Sequence, residues 1–598
     1  MRRVLAAMVL LVAAAGVRPA YGDGEDERRE ARDVRLYEMG ALTARWSSFV
    51  TDRGPYPTRP DEVNDSSRPL YADETEEGTS IATSDEIVGE VSGSLPRDEA
   101  PSTERSISVS GSRLVALATA GDQRRIGERL AALERAGLET AIVDVLVVEG
   151  DVPAGDDALA AALASGAARP TAAARASTWL GQRAAASTGT VTAYVADYDV
   201  EVAAKSQTVD PIVGVARSGL AFEASTLRSG DRVLLDLHAW VARRPEMRTS
   251  KTARDDVIEI ATVDGAALHA TMRVRPGAWT VVSGTGSTLF AVRVTLDPFA
   301  ATVPAGVLVR GKPSRDTGPM EMESIPVADL VVPTPSSGAP TIRLSPSNYT
   351  PPSPRELPEP SPLLESSALV DLLRQVDPEA WEREGSSIEM ARNVLRVRHD
   401  ATRREAVASV VKELRERFVR PVRLRTIVAT VPVEAWTNVV VGGGLEAALR
   451  DEARGLVSMP GARVEGRASL RLLSGQRGGS TSGTRRVYVG DYDVEIAEDS
   501  RIGNPVVFDV FDGLSFGARP LLTAAEDAIA VDVRLDRSDW RGSRIVPCVH
   551  GPIECPTIGL VRFRGHRVVR MGSTVLLACG VEEGHATLVV VSAAFDAP

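Results

Sequence analysis

Apolar positions along this chain change their period several times, and each change marks an element. Leu114 to Ala118 is a short apolar run that reads as a strand. Ile126, Leu130 and Leu133 then fall at helical spacing, with Gly137 supplying a stop. The stretch TAIVDVLVV, Thr140 to Val148, returns to strand character. The same order recurs far downstream: Leu395 to Val397 predicts a strand, Val407, Val411, Leu414 and Phe418 predict one helix face, and Pro421 introduces a strand from Val422 to Val431. A helix bridging two strands in so short a span can lay its stripe on one sheet face, so each set predicts a small α/β module. The alanine-rich segments 156–178 and 443–456 predict further short helices.

Beyond each module the pattern becomes β-like. RVLLDLHAWVA, ALHATMRVRPG and WTVVSGT alternate in character or are valine-rich, with Gly, Asp and Pro between them, which predicts a folded-over antiparallel sheet. This region is written twice. Gly181 to Phe222 returns as Gly475 to Phe516 at a constant offset of 294. One residue later the match resumes, with Ile258, Glu259, Thr262, Val274, Arg275 and Gly277 answered by Ile553, Glu554, Thr557, Val569, Arg570 and Gly572. The predicted fold class is therefore α+β: a tandem duplication of a small α/β domain followed by a β-rich domain. Anything essential to both copies should appear in both.

A length of 598 residues and 43% hydrophobic content predict a multidomain globular chain. The net charge of -12 opposes a nucleic-acid partner, which would need a basic face or stripe. Arg2 and Arg3 precede an apolar run from Val4 to Val17, with Ala20 and Gly22 as small residues beyond it. This predicts a secretory signal over 1–22 and a mature start near Asp23. No later stretch has the length of an apolar membrane helix, so further membrane contact would need a β-barrel or another protein. The expected divisions are 23–150 for the first α/β module with its acidic loops and 151–310 for the first β-rich domain. A Pro- and Ser-rich linker over 311–362 separates these from the second α/β module, 363–440, and the second β-rich domain, 441–598.

Candidate chemistry is sparse. In YVADYDVEVA, alternation places Tyr194, Ala196, Tyr198, Val200 and Val202 on one face and Val195, Asp197, Asp199 and Glu201 on the other. Asp491, Asp493 and Glu495 repeat the acidic row. Such a row needs cations; arginines on adjacent strands are expected to supply them, with a calcium ion as the alternative. The cysteines, Cys548, Cys555 and Cys579, all lie in the second copy. A Cys548–Cys555 disulfide fits an exported chain, and a zinc site adding His550 is the sharper alternative. The six histidines, His238, His269, His399, His550, His566 and His585, do not align between copies, and no nucleophile-elbow, H-E-x-x-H or phosphate-loop pattern is present. No catalytic, cofactor-binding or metal residue is assigned and no cofactor is expected.

The order of modules resembles the bacterial secretins. Ser367 to Arg417 is similar to their short N-terminal modules, on the strength of Trp381, Leu395, Val397, Leu414 and Arg415. SISVSGSRLVALATAGDQRRIGERLAALE is a version lacking that Trp. The β-rich copies resemble the secretin C-terminal domain through Gly513, Phe516, Pro520, Val569 and Gly572, and through Gly219, Phe222, Val274 and Gly277, with Thr226 where the proline stands in the second copy. The resemblance implies an exported, noncatalytic envelope protein, an oligomeric scaffold or channel component of a type II or type III secretion or pilus-like system. It would lie in the periplasm, with an outer-membrane association, and its partners would be itself or other secretion-system envelope proteins, with no nucleic acid or small-molecule substrate. Secretins usually carry one such β-domain and a proline-rich gate motif; two short domains without that motif leave open a soluble periplasmic binding or adaptor protein that kept the fold. A metal-dependent hydrolase is a further rival, resting on the repeated carboxylates.

Overall fold

The computed structural model describes residues 32–49, 75–76, 79–96, 105–149, 156–165, 167–202, 207–252, 256–282, 288–309, 318–333, 335–337, 362–376, 378–436, 461–497, 500–582 and 584–596. The signal over 1–22 and the helix expected at 443–456 lie outside them.

The chain opens with β1 (Arg32–Glu38), α1 (Gly40–Thr43), the short pair β2 (Ser48–Phe49) and β3 (Thr75–Glu76), α2 (Ser84–Gly93), the hairpin β4 (Ser106–Ser110) and β5 (Arg113–Thr119), and α3 (Ala120–Gly137). The first β-rich copy follows as β6 (Thr140–Glu149), α4 (Asp156–Ser165), β7 (Arg169–Trp179), β8 (Arg183–Val202), β9 (Gln207–Ser229), β10 (Arg232–Ala242), β11 (Glu246–Lys251), β12 (Val257–Thr262), β13 (Gly265–Val274), β14 (Trp279–Val282) and β15 (Leu289–Asp297). The middle of the chain holds β16 (Val307–Val309), β17 (Glu321–Pro326), α5 (Ala328–Val331), α6 (Ser366–Val376), a 3-10 turn at Pro378–Glu382, β18 (Ser387–Ala391), β19 (Val394–His399) and α7 (Ala401–Phe418). The second copy is β20 (Val422–Pro432), α8 (Val433–Trp436), β21 (Arg463–Leu472), β22 (Gly478–Ala497), β23 (Ser500–Leu522), β24 (Ala528–Cys548), β25 (Gly551–Arg570), β26 (Thr574–Glu582) and β27 (His585–Phe595).

The two β-rich copies are not separate sheets. They merge into two continuous eight-stranded sheets, ordered β13-β10-β9-β8-β25-β24-β23-β22 and β14-β15-β6-β7-β26-β27-β20-β21. All the strand pairs within them are antiparallel. One apolar core lies between the sheets, drawing Val143, Val145, Phe222 and Leu235 from the first copy and Phe516, Val531, Phe563 and Val589 from the second. The second sheet has a further apolar layer on its other face, where Leu146, Leu588 and Val590 meet Leu159 and Leu163 of α4 and Trp436 of α8. Thus β6 sends Val143, Val145 and Val147 to one core and Leu146 and Val148 to the other, which is why its sequence is a continuous apolar run.

This placement corrects two expectations. Thr140–Val148 and Val422–Val431 do not close the small α/β modules; as β6 and β20 they sit inside the second large sheet, because a strand apolar on both sides needs cover on both faces. Segment 156–178 is a helix only as far as Ser165, and its remainder is β7.

The small modules form where the helical stripes lie. Thr119 accepts the Asp122 N–H at 3.2 Å and starts α3, whose Ile126 and Leu130 are buried. Asp400 caps α7 through Arg403 N–H at 2.9 Å, and the expected face, Val407, Val411, Leu414 and Phe418, is buried. Alternation splits the four-stranded sheet β16-β1-β5-β4. Leu114, Ala116 and Ala118 face α2 and α3, whereas Val34, Leu36 and Val115 face a core shared with α6, α7 and the sheet β17-β19-β18. Arg113, fully buried, donates to the Leu363 carbonyl and lies 3.9 Å from the centre of the Phe418 ring, joining the two modules.

The expected linker over 311–362 is folded in part. β17 pairs with β19, and Ile325, Val327, Leu330 and Val331 enter the shared core. The apolar spacing of those four residues outweighs the proline content around them.

Candidate assembly junction

The copies meet head to tail. In the first sheet β8 of copy one pairs with β25 of copy two, from Ala185 opposite Arg564 to Thr192 opposite Thr557. In the second sheet β7 pairs with β26, Arg175 opposite Cys579 and Ala173 opposite Val581. By the repeat, β8 corresponds to β22 and β25 to β12 and β13 together. One kind of edge therefore meets the other kind, and among the described residues the same two kinds remain open at the ends of the first sheet, β22 at one and β13 at the other.

Small side chains on the first copy shape this contact. Ala172, Ala174, Ala176, Ala184 and Ala186 line the core at the junction, where Phe563 from the second copy is completely buried. Gly189 and Gly219 stand opposite each other, as do Gly483 and Gly513 in the second copy. A Cβ on either member of the pairs would collide with the facing backbone, so both copies keep glycine there.

Polar groups close the junction above this core. Arg544 on β24 reaches into the first copy, donating to Glu259 Oε2 at 3.2 Å and the Ala193 carbonyl at 3.0 Å, with a second bond to Glu259 Oε1. Glu259, almost fully buried, also accepts the Val195 N–H at 3.1 Å. That bidentate bond to Glu259 raises the Arg544 guanidinium above its ordinary value. Beside it Arg541 bonds Thr190 at 2.7 Å and Glu582 at 2.9 Å. Thr208 of the first copy meets His550 of the second at 2.7 Å, and Tyr198 meets Cys548 at 3.3 Å.

Below the junction the N-terminal segment plugs a buried cluster. Trp46 stacks on Trp179 with ring centres 4.8 Å apart, and Trp46, Phe49 and Trp179 surround His566. Burial pushes the His566 imidazole down to about 4. Asp532, opposite His566 in the β24–β25 ladder, accepts Ser47 Oγ at 2.9 Å. Burial opposes its charge, but Arg477, His566, Arg519 and Arg534 hold it down at about 2. In the second sheet Asp144 is buried between Arg175 and Arg293, at 2.6 and 2.9 Å. Burial again opposes its charge, and the two guanidinium groups outweigh it and lower its pKa.

The acidic rows lie on hairpin arms beyond this core, and the alternation expected for them is interrupted. A bulge falls between Val195 and Asp197, and its counterpart between Val489 and Asp491. The extra residue brings Val195 and Tyr198 into one buried cluster, which strict alternation separates. Residues opposite Asp197, Asp199 and Glu201 are Ile212, Asp210 and Thr208, and those opposite Asp491, Asp493 and Glu495 are Val506, Asn504 and Ile502. None of these directly opposed residues is an arginine, so among the described residues the facing positions do not supply the cations expected from adjacent strands. Asp197 and Asp491 instead accept the N–H of the following tyrosine, each at 2.8 Å. Burial, with Asp493 adding to it, pushes Asp491 up to about 6.

The three cysteines are free, which corrects the expected disulfide. In the β24–β25 hairpin Cys548 stands opposite Gly551 and Cys555 opposite Arg544, so the register keeps the two thiols apart. Among the described residues no three His, Cys, Asp or Glu side chains converge as a metal-ligand set. Among the described residues, too, no helix is long and apolar enough to cross a membrane.

The junction was missed in sequence, although a signal for it exists. Where β8 reads Ala185, Ala186, Val191 and Thr192, its counterpart β22 reads Gly479, Ser480, Arg485 and Arg486. Three of the four residues on the covered edge are apolar, whereas the open edge carries a serine and two arginines.

No protein-family model and no curated protein matches the sequence. Among solved structures, the chain is similar to the secretin-domain β-barrel of InvG from the Salmonella SPI-1 injectisome, at 12% identity over 47% of this chain and 89% of that one, with a TM-score of 0.21. It is similar to the type II secretin GspD from enteropathogenic Escherichia coli at 12% identity, over 39% of this chain and 85% of that one, with a TM-score of 0.20. The likeness to a chain of the Klebsiella pneumoniae type II secretion outer-membrane complex of PulD, PulS and PulC is 9% identical, over 60% and 64% of the two chains, with a TM-score of 0.22.

Proposed function

We propose that this chain is an exported, noncatalytic structural protein of the cell envelope, a secretin-like oligomeric scaffold or channel component. The observation that supports this reading is the head-to-tail union of two homologous β units whose outer edges are left open. A sheet ending in long unpaired edges is normally blunted or covered, and β22 carries residues 481–487 exposed with no proline among them. Such edges suit a protein built to be continued by another unit. The buried ionisable groups fit a structural role, since His566, Asp532 and Asp144 are each enclosed by packing or by ion pairs within the fold. The measurement that tests the reading is the mass of the mature protein extracted from the cell envelope in mild detergent. A large discrete assembly supports the scaffold; a monomer favours a soluble adaptor, and recovery of intact Met1 in the cytoplasm overturns export.

A further inference from the structure

The junction inside the chain predicts the junction between chains. A contact that joins unlike edges leaves one edge of each kind free on every molecule, so it can repeat from molecule to molecule into a ring or a filament. We propose that the partner of the open β22 edge is the β13 edge of a second copy of this chain, paired in the register that β8 and β25 use internally. This rests on the scaffold reading above and names its partner and geometry.

The register follows from the repeat. Trp240 pairs with Ala267 and Asp536 with Arg562, so positions on β10 and β11 correspond to β24 at an offset of 296, and those on β12 and β13 to β25 at 295. Phe563 opposite Ala186 becomes Leu268 opposite Ser480, Arg562 opposite Ser187 becomes Ala267 opposite Thr481, and Leu560 opposite Gly189 becomes Gly265 opposite Gly483. Each pair keeps one small residue. Phe563 is completely buried in the internal junction, whereas Leu268 is only partly buried at the open edge, against the same core. A second copy would complete its burial.

Charge gives an independent argument. Arg544 of the second copy grips Glu259 of the first. Their counterparts are Arg248 and Glu554, which do not meet within the chain. Arg248 is three-quarters exposed and, among the described residues, pairs with Glu246 at 3.8 Å, and Glu554 accepts a 3.4 Å bond from Ser543. In the proposed register Arg248 of one chain reaches Glu554 of the next, as Arg544 reaches Glu259.

The test uses the full-length mature chain in mild detergent. Ala267 and Thr481 are both exposed, so Ala267→Cys and Thr481→Cys should fold normally, as checked by thermal melting. Mixing the two single variants under mild oxidation should give a disulfide-linked dimer that neither forms alone, and the double variant should give a ladder. Arg248→Glu should abolish or greatly reduce the assembly, and Arg248→Glu with Glu554→Arg should restore it. A large assembly that forms without this cross-link and is indifferent to the charge changes overturns the β22–β13 register while leaving the scaffold reading intact. No assembly of any kind overturns both.

Discussion

Glu259 of the first copy lies almost fully buried under the guanidinium of Arg544 from the second, so one carboxylate ties β12, β8 and β24 together. In the neighbouring ladder of β8 and β25 the strands join through backbone bonds, and its arginines Arg562 and Arg564 pair with Asp536 of their own copy. This pair therefore adds to the union of the copies something that the strand edges alone do not.

Glu259→Gln keeps an acceptor for Val195 N–H and removes the charge facing Arg544. Because Arg544 is 41% exposed, solvent screens much of the pair, and the expected loss is about 1 kcal/mol in urea unfolding. Glu554→Gln at the equivalent place should leave the unfolding midpoint of the unassembled chain unchanged, because within one chain Glu554 meets Ser543 and not Arg248. Equal losses at both positions would count against the asymmetry between joined and open ends.

Glu134 on α3 is nearly fully buried and accepts the Ala524 N–H at 2.6 Å, so it docks the N-terminal module on the second copy. Burial pushes its carboxyl up to about 8. A folded-state pKa raised above the ordinary 4.5 means that the folded chain holds a proton the unfolded chain releases. The corresponding stability is complete below about pH 4.5 and falls as pH rises through about 8. Glu134→Gln should remove that decline, melting higher than wild type above pH 8; a variant with the same pH slope as wild type would show that Glu134 titrates normally.

Cutting the chain at a protease site placed within residues 338–361 should not separate the halves. The copies are joined by the β8–β25 and β7–β26 ladders and by the shared core, none of which depends on that connection. The nicked protein should run as one species in native gel filtration and part only in denaturant. Two native species would contradict the continuous sheets.

The acidic arms should respond unequally. Asp199 is exposed and, among the described residues, accepts its neighbour's N–H, so Asp199→Asn should change stability by less than about 0.5 kcal/mol. Asp491 is partly buried and raised to about 6 from 3.8, so its contribution is complete below about pH 3.8 and is lost as pH rises through about 6. Asp491→Asn should stabilise the protein at pH 7 by about 1 kcal/mol, the shift being discounted because solvent reaches the carboxylate. Thermal melts at pH 4.5 and pH 7 check both, and a chelator-dependent fall in wild-type melting would restore the cation-site alternative.

Some of this molecule was legible in the chain itself. The faces of α3 and α7 follow from a 3.6-residue period, a local property that survives any tertiary arrangement, and Val407, Val411, Leu414 and Phe418 are buried as that period requires. The duplication was likewise readable, and β8 and β22 have equal lengths, as do β9 and β23. What only the tertiary structure decided is which edge each strand meets. Backbone hydrogen bonds carry no residue identity, so nothing local says that Ala185–Thr192 pairs with a strand almost four hundred residues away or that β6 leaves its expected module for a large sheet. The bulges at Ala196 and Gly490 have the same origin: one inserted residue reverses the side-chain alternation beyond it, and only the partner strand shows where the insertion falls.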